Sequence, residues 1–69
     1  MNILSGQDFV KDPDNEGAVL GWGVFRMAPW HLARVFNSED LAQEYCLSLG
    51  GDYRVAYGSH RLGTDDFVA

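Results

Sequence analysis

The chain is 69 residues long and carries ten Asp and Glu against five Lys and Arg, a formal net charge of −5. One small domain of this size buries only about 60% of its unfolded surface, which leaves little material for a water-excluding catalytic pocket. The acid excess argues against a general phosphate-backbone binder, which needs a clustered basic surface. A single cysteine, Cys46, excludes an internal disulfide and suits a reducing compartment. The start Met1-Asn2-Ile3-Leu4 lacks the basic opening of a signal peptide, and no run approaches about 20 apolar residues. The expectation is a cytoplasmic protein without a membrane partner.

Residues 1–17 read as an acidic, partly flexible lead-in, with Ile3, Leu4, Phe9 or Val10 available to dock on a core. The stretch Asp12-Pro13-Asp14-Asn15-Glu16-Gly17 favours a turn. Its alternating oxygen ligands resemble the first half of a calcium-binding loop. The position of the closing bidentate Glu is Gly23, however, and no helix signal precedes Asp12. A solvated turn is the expectation, with no metal and no cofactor.

Residues 18–69 read as one domain. The run 18–27 alternates as a strand, with Leu20, Trp22 and Val24 on one side and Phe25 and Met27 on the other. Ala28-Pro29 breaks it, and Trp30 to Phe36 gives a second strand, a hairpin signal. Asn37 or Ser38 can cap a helix, and Glu39 and Asp40 complement the positive end of its dipole. Leu41, Ala42, Tyr45, Cys46 and Leu49 recur at helical spacing as its apolar face, and Gly50-Gly51 ends it. Tyr53, Val55 and Tyr57 alternate with Arg54 and Ala56 as a third strand. The order ββαβ predicts an α+β two-layer sandwich, with a three-stranded, mainly antiparallel sheet in order 3-1-2 and one helix packed on one face.

The polar tail Gly58-Ser59-His60-Arg61-Leu62-Gly63-Thr64-Asp65-Asp66 holds most of the groups capable of chemistry. Ser59, His60 and Asp65 supply the residue types of a catalytic triad, but neighbours in an extended segment point to opposite sides. The spacing of His31, Cys46 and His60 matches no zinc motif. Non-enzymatic behaviour is therefore expected. The tail reads as turns set by Gly58 and Gly63, a last helical turn capped by Thr64, and Phe67 docked on the core.

Strand phases yield one constellation. If the helix covers the face of Phe25, Met27, Ala33, Val35, Tyr53, Val55 and Tyr57, the opposite face carries Trp22, Val24, Arg26, Leu32, Arg34, Phe36 and Arg54. Arginines beside large aromatics suit a protein-binding hot spot. They also suit base stacking on a sheet. The alternative is that residues 1–10 or the tail at Phe67-Val68 cover that face. The sequence thus points to a small protein-binding accessory or regulatory protein, or to self-association. The predicted contacts are Trp22, Arg26, Arg34, Phe36 and Arg54, with His60, Arg61 and Asp65 of the tail. A sheet-face RNA or single-stranded DNA module is the second reading, though nucleic acid suits the charge poorly.

Overall fold

The computed structural model describes residues 3–5 and 9–69. Residues 1, 2 and 6–8 of the expected flexible lead-in lie outside the described residues. The elements in chain order are β1 (Leu4–Ser5), β2 (Val10–Lys11), β3 (Ala18–Met27), β4 (Trp30–Phe36), α1 (Glu39–Leu49), β5 (Tyr53–Arg61) and β6 (Phe67–Val68). The fold is a small α+β domain, with one helix and a multi-stranded sheet.

The long strands form the centre. β3 pairs antiparallel with β4 on one side and β5 on the other, which is the order expected for the three long strands. The sheet itself is not three-stranded. It has six strands in the order β1-β4-β3-β5-β6, with β2 also paired to β3, and it is mixed because β1 runs parallel to β4. The added strands come from the segments read as a lead-in and a tail. Each is two residues long, too short for periodicity to reveal.

The helix begins after Ser38, whose carbonyl accepts from Ala42 N at 3.2 Å; its hydroxyl makes no capping bond. It ends at Gly50, whose φ of 106° favours a residue without Cβ. Ala42 is buried, and Tyr45 and Cys46 pack beside it against Val24, Phe36, Trp22, Tyr53 and Val55. Leu41 and Leu49, expected on the buried face, are exposed, so the contact stripe is narrower than the apolar pattern.

Register shows that Tyr53, Val55 and Tyr57 of β5 lie on the helix side as expected, whereas β3 and β4 turn the opposite face to the helix from the one expected. Directly paired residues share a face. Trp22 pairs with Phe36 and Tyr57, Val24 with Arg34 and Val55, and Arg26 with His31 and Tyr53. That set holds the first core cluster, so α1 covers the face of Trp22, Val24 and Phe36. The second cluster is Phe25, Leu32 and Val35 on the far face, joined by Ile3, Leu4, Phe9, Ala56 and Phe67. The far face is thus covered by both ends of the chain, which was the alternative reading of the open face.

Glycines make that cover possible. Gly21, Gly23 and Gly58 all project toward the far face. A Cβ on Gly21 would stand 3.0 Å from Phe9 Cε1, and one on Gly23 would stand 2.7 Å from Phe67 Cζ. A Cβ on Gly58 would collide with the carbonyl oxygen of Val68. Rings and backbone from the termini fill the space that side chains would take on an ordinary strand.

Candidate functional site

The predicted arginine patch assembles only in part, without Arg54 and on the face the helix packs against. Arg54 pairs with Phe25 and Leu32 pairs with Phe25, so both belong to the far face. Trp22, Arg26, Arg34 and Phe36 do share a face, but it is the one the helix covers. Phe36 is buried against the Tyr45 ring at 5.5 Å. Arg34 stands over the same ring at 5.7 Å. Arg26 stands over Tyr53 at 5.4 Å, and its Nε donates to the Pro29 carbonyl at 3.0 Å. His31 Nδ1 and the Tyr53 hydroxyl share a hydrogen bond of 2.7 Å. These contacts tie Arg26 and Arg34 to the domain itself.

The tail is also built in. β5 continues past Tyr57 to Arg61. His60 is 2% exposed, and its Nδ1 donates to the Asp66 carbonyl at 3.0 Å, so it is a core side chain and not a contact for a partner. Asp65 accepts at its carbonyl from Trp30 Nε1 at 3.0 Å, which pins the loop to the β3–β4 hairpin. Thr64 Oγ1 donates to the Arg61 carbonyl at 2.9 Å and accepts from Asp66 N at 3.1 Å. The result is a turn into β6 in place of the expected helical turn, while Phe67 docks on the core as expected. Ser59 and His60 point to opposite faces, and Ser59 Oγ is buried with no hydrogen-bond partner among the described residues. Arg61 is exposed at the end of β5.

In the acidic loop, the Asp12 carboxylate accepts from Asp14 N at 2.9 Å, and Asn15 N donates to the Asp12 carbonyl at 3.3 Å. Its oxygens serve the turn that returns the chain to Ala18. Among the described residues, no group of three or more His, Cys, Asp or Glu is placed to hold a metal ion.

What stands open is a region the sequence marked at one residue only. The helix of 11 residues spans roughly 16 Å, whereas β3, with 10, spans roughly 33 Å. The helix therefore covers about half of its face. Beyond it, Val10, Leu20, Ser59 and Val68 form one row across β2, β3, β5 and β6, because Val10 pairs with Leu20, Leu20 with Ser59, and Ser59 with Val68. The next position toward the helix holds Trp22 against Tyr57, with ring centroids 5.1 Å apart, and Trp22 marks the edge of the cluster the helix packs on. Val10, Tyr57 and Val68 are 62%, 49% and 72% exposed. Leu20 and Trp22 are half-buried.

Alternation carried a signal for this row, since Val10, Leu20, Trp22 and Tyr57 are the apolar members of their strands on that side. The span of the helix, read from its caps, was the missing step. Comparison of the chain with protein-family models, with curated proteins and with solved structures finds no match. Among the described residues, no helix is long and apolar enough to cross a membrane.

Proposed function

We propose that this protein is a non-enzymatic accessory or regulatory domain that binds a protein partner through the open half of its helix-side sheet face. Val10, Leu20, Trp22, Tyr57 and Val68 are the contact residues. The observation that carries this reading is that Val10, Leu20 and Val68 share a register row, broken only by Ser59, beside the Trp22–Tyr57 pair, with Val10, Tyr57 and Val68 exposed. The Trp–Tyr pair beside the row supplies large contact area at low cost in side-chain entropy. Of the residues singled out from sequence, Trp22 lies within this surface and Arg61 lies at its end.

The experiment is capture from a lysate of the source organism with the tagged chain, with and without nuclease, using three proteins. These are the wild type, Tyr57→Ser/Val68→Ser, and Leu47→Ser. Leu47 is 83% exposed on the helix, away from the row, so it controls for general stickiness. The expected result is a stoichiometric protein that survives nuclease, is lost with the double variant and is kept with Leu47→Ser. Retention that ignores the double variant would overturn the assignment of the face. A second reading rests on the same aromatic pair, on which single-stranded bases stack. It requires that nuclease remove the retained material and that binding fall steeply with salt.

A further inference from the structure

We infer that the partner for this face is a basic protein segment, one that lays apolar side chains on Val10, Leu20, Trp22, Tyr57 and Val68 and sets lysine or arginine at the rim. The inference rests on the reading that the face binds protein, and it adds the chemistry of what is bound.

The row itself is uncharged; its borders are acidic. The turn joining β2 to β3 starts two residues after Val10 and ends three before Leu20, and it carries Asp12, Asp14 and Glu16. On the other border, α1 starts three residues after Phe36, the partner of Trp22, and opens with Glu39 and Asp40. Asp14, Glu16, Glu39 and Asp40 are exposed. Of the nearby cations, Lys11 pairs with Val19 and lines one cavity with Asp12 and Glu16, and Arg61 stands at the end of the row. Arg26 and Arg34 are held over tyrosine rings, and Arg54 lies on the far face. The surface therefore presents an apolar strip between two net-acidic borders, Asp12, Asp14 and Glu16 with Lys11 on one side and Glu39 and Asp40 on the other.

Charge complementarity selects among the occupants. A second copy meeting this face across a two-fold axis would bring like carboxylates together, in a chain already at −5. A phosphate backbone meets the same repulsion. A segment with leucine-like side chains flanked by lysine or arginine buries the strip and pairs the rim. Rim pairs of this kind each add little, but together they speed encounter and make binding salt-dependent.

The test uses the whole chain, labelled for amide NMR, and three synthetic peptides of about 14 residues. One carries Leu at helical spacing with Lys between. In the second, Glu replaces Lys; in the third, Ser replaces Leu. The Leu/Lys peptide is expected to shift the resonances of Leu20, Trp22 and Tyr57 saturably, and the Ser/Lys peptide to do so far more weakly. Its affinity is expected to fall roughly fivefold or more in Asp14→Asn/Glu16→Gln/Asp40→Asn, and again as salt rises. Asp12 is left intact because its carboxylate holds the turn.

Equal binding of the Leu/Glu peptide to the same face would overturn the basic partner and leave the protein-binding reading standing. Shifts that avoid the face altogether, or no saturable binding, would overturn the basic partner as well; shifts confined to another surface would also remove the face assignment. Self-association that maps to the face and is abolished by Tyr57→Glu would assign a second copy instead.

Discussion

Gly23→Ala tests whether the C-terminal segment closes the far face of the sheet. A Cβ at this position would lie 2.7, 2.8 and 3.0 Å from Cζ, Cε1 and Cε2 of Phe67. The ring must leave its place. Alanine in a strand interior is otherwise favoured over glycine by roughly 0.5–1 kcal/mol, because the unfolded chain has less freedom to lose. Displacing Phe67 gives up half-buried aromatic area worth about 1–2 kcal/mol and its contact with Phe25, whose ring centroid is 5.7 Å away. That contact adds about 0.5–1.5 kcal/mol. The net expectation is a loss of about 1–2 kcal/mol in urea unfolding followed by tryptophan fluorescence, within the range a domain of this size survives. Phe67→Leu removes the three atoms that collide. On that background Gly23→Ala is expected to be neutral or stabilising by about 0.5 kcal/mol, a coupling of about 1–2.5 kcal/mol between the two sites. If Gly23→Ala costs the same with Phe67 and with Leu at position 67, to within about 0.5 kcal/mol, Phe67 does not rest on Gly23 and this account of the face fails.

Two further variants probe the same closure. Gly58→Ala brings a Cβ onto the Val68 carbonyl and within 2.7 Å of Ala69 Cα, so backbone must move. Detachment of β6 should raise the amide exchange of Val68 by an order of magnitude or more, with β3 amides little changed; unchanged exchange at Val68 would count against the pairing. His60→Ala removes a buried ring and its bond to the Asp66 carbonyl, at an expected cost of about 2–3 kcal/mol. His60→Leu should cost less because it refills most of the volume, and Arg61 N still donates to that carbonyl at 3.3 Å in both variants; equal costs would show that packing is not the main term.

The long elements were legible because each carries a full local signal. β4 begins and ends where the apolar run does, and α1 starts after Ser38 and ends at Gly50 as the residue types suggest. The face that β3 and β4 turn to the helix was not legible, for two physical reasons. First, the β3–β4 ladder shifts register between Val24 and Phe25, where Arg34 pairs with Val24 but Leu32 pairs with Phe25. Ala33 is the extra residue, so Leu32 and Val35 share a face that strict alternation would separate. Second, the far face of β3 reads Val19, Gly21, Gly23, Phe25, and glycines give no hydrophobic signal. They mark burial here because Phe9 and Phe67 arrive from elsewhere in the chain. The same effect hid the second half of β5, whose inward positions are Gly58 and His60.

These two effects also explain why the candidate surface moved. The sequence places arginine and aromatic residues on one side of the sheet, and such a face looks solvated when the glycine-bearing side looks empty. In the structure the arginines are drawn in: the guanidinium groups of Arg26 and Arg34 lie over the rings of Tyr53 and Tyr45. What remains uncovered is set by length. A helix of 11 residues cannot span a strand of 10, and the chain ends that might have covered the remainder are committed to the far face by Gly21, Gly23 and Gly58. The open row of Val10, Leu20, Trp22, Tyr57 and Val68 is therefore a consequence of the same glycines that bury Phe9 and Phe67. Filling Gly23 or Gly58 releases the C-terminal segment, including Val68, from the position in which it completes that row.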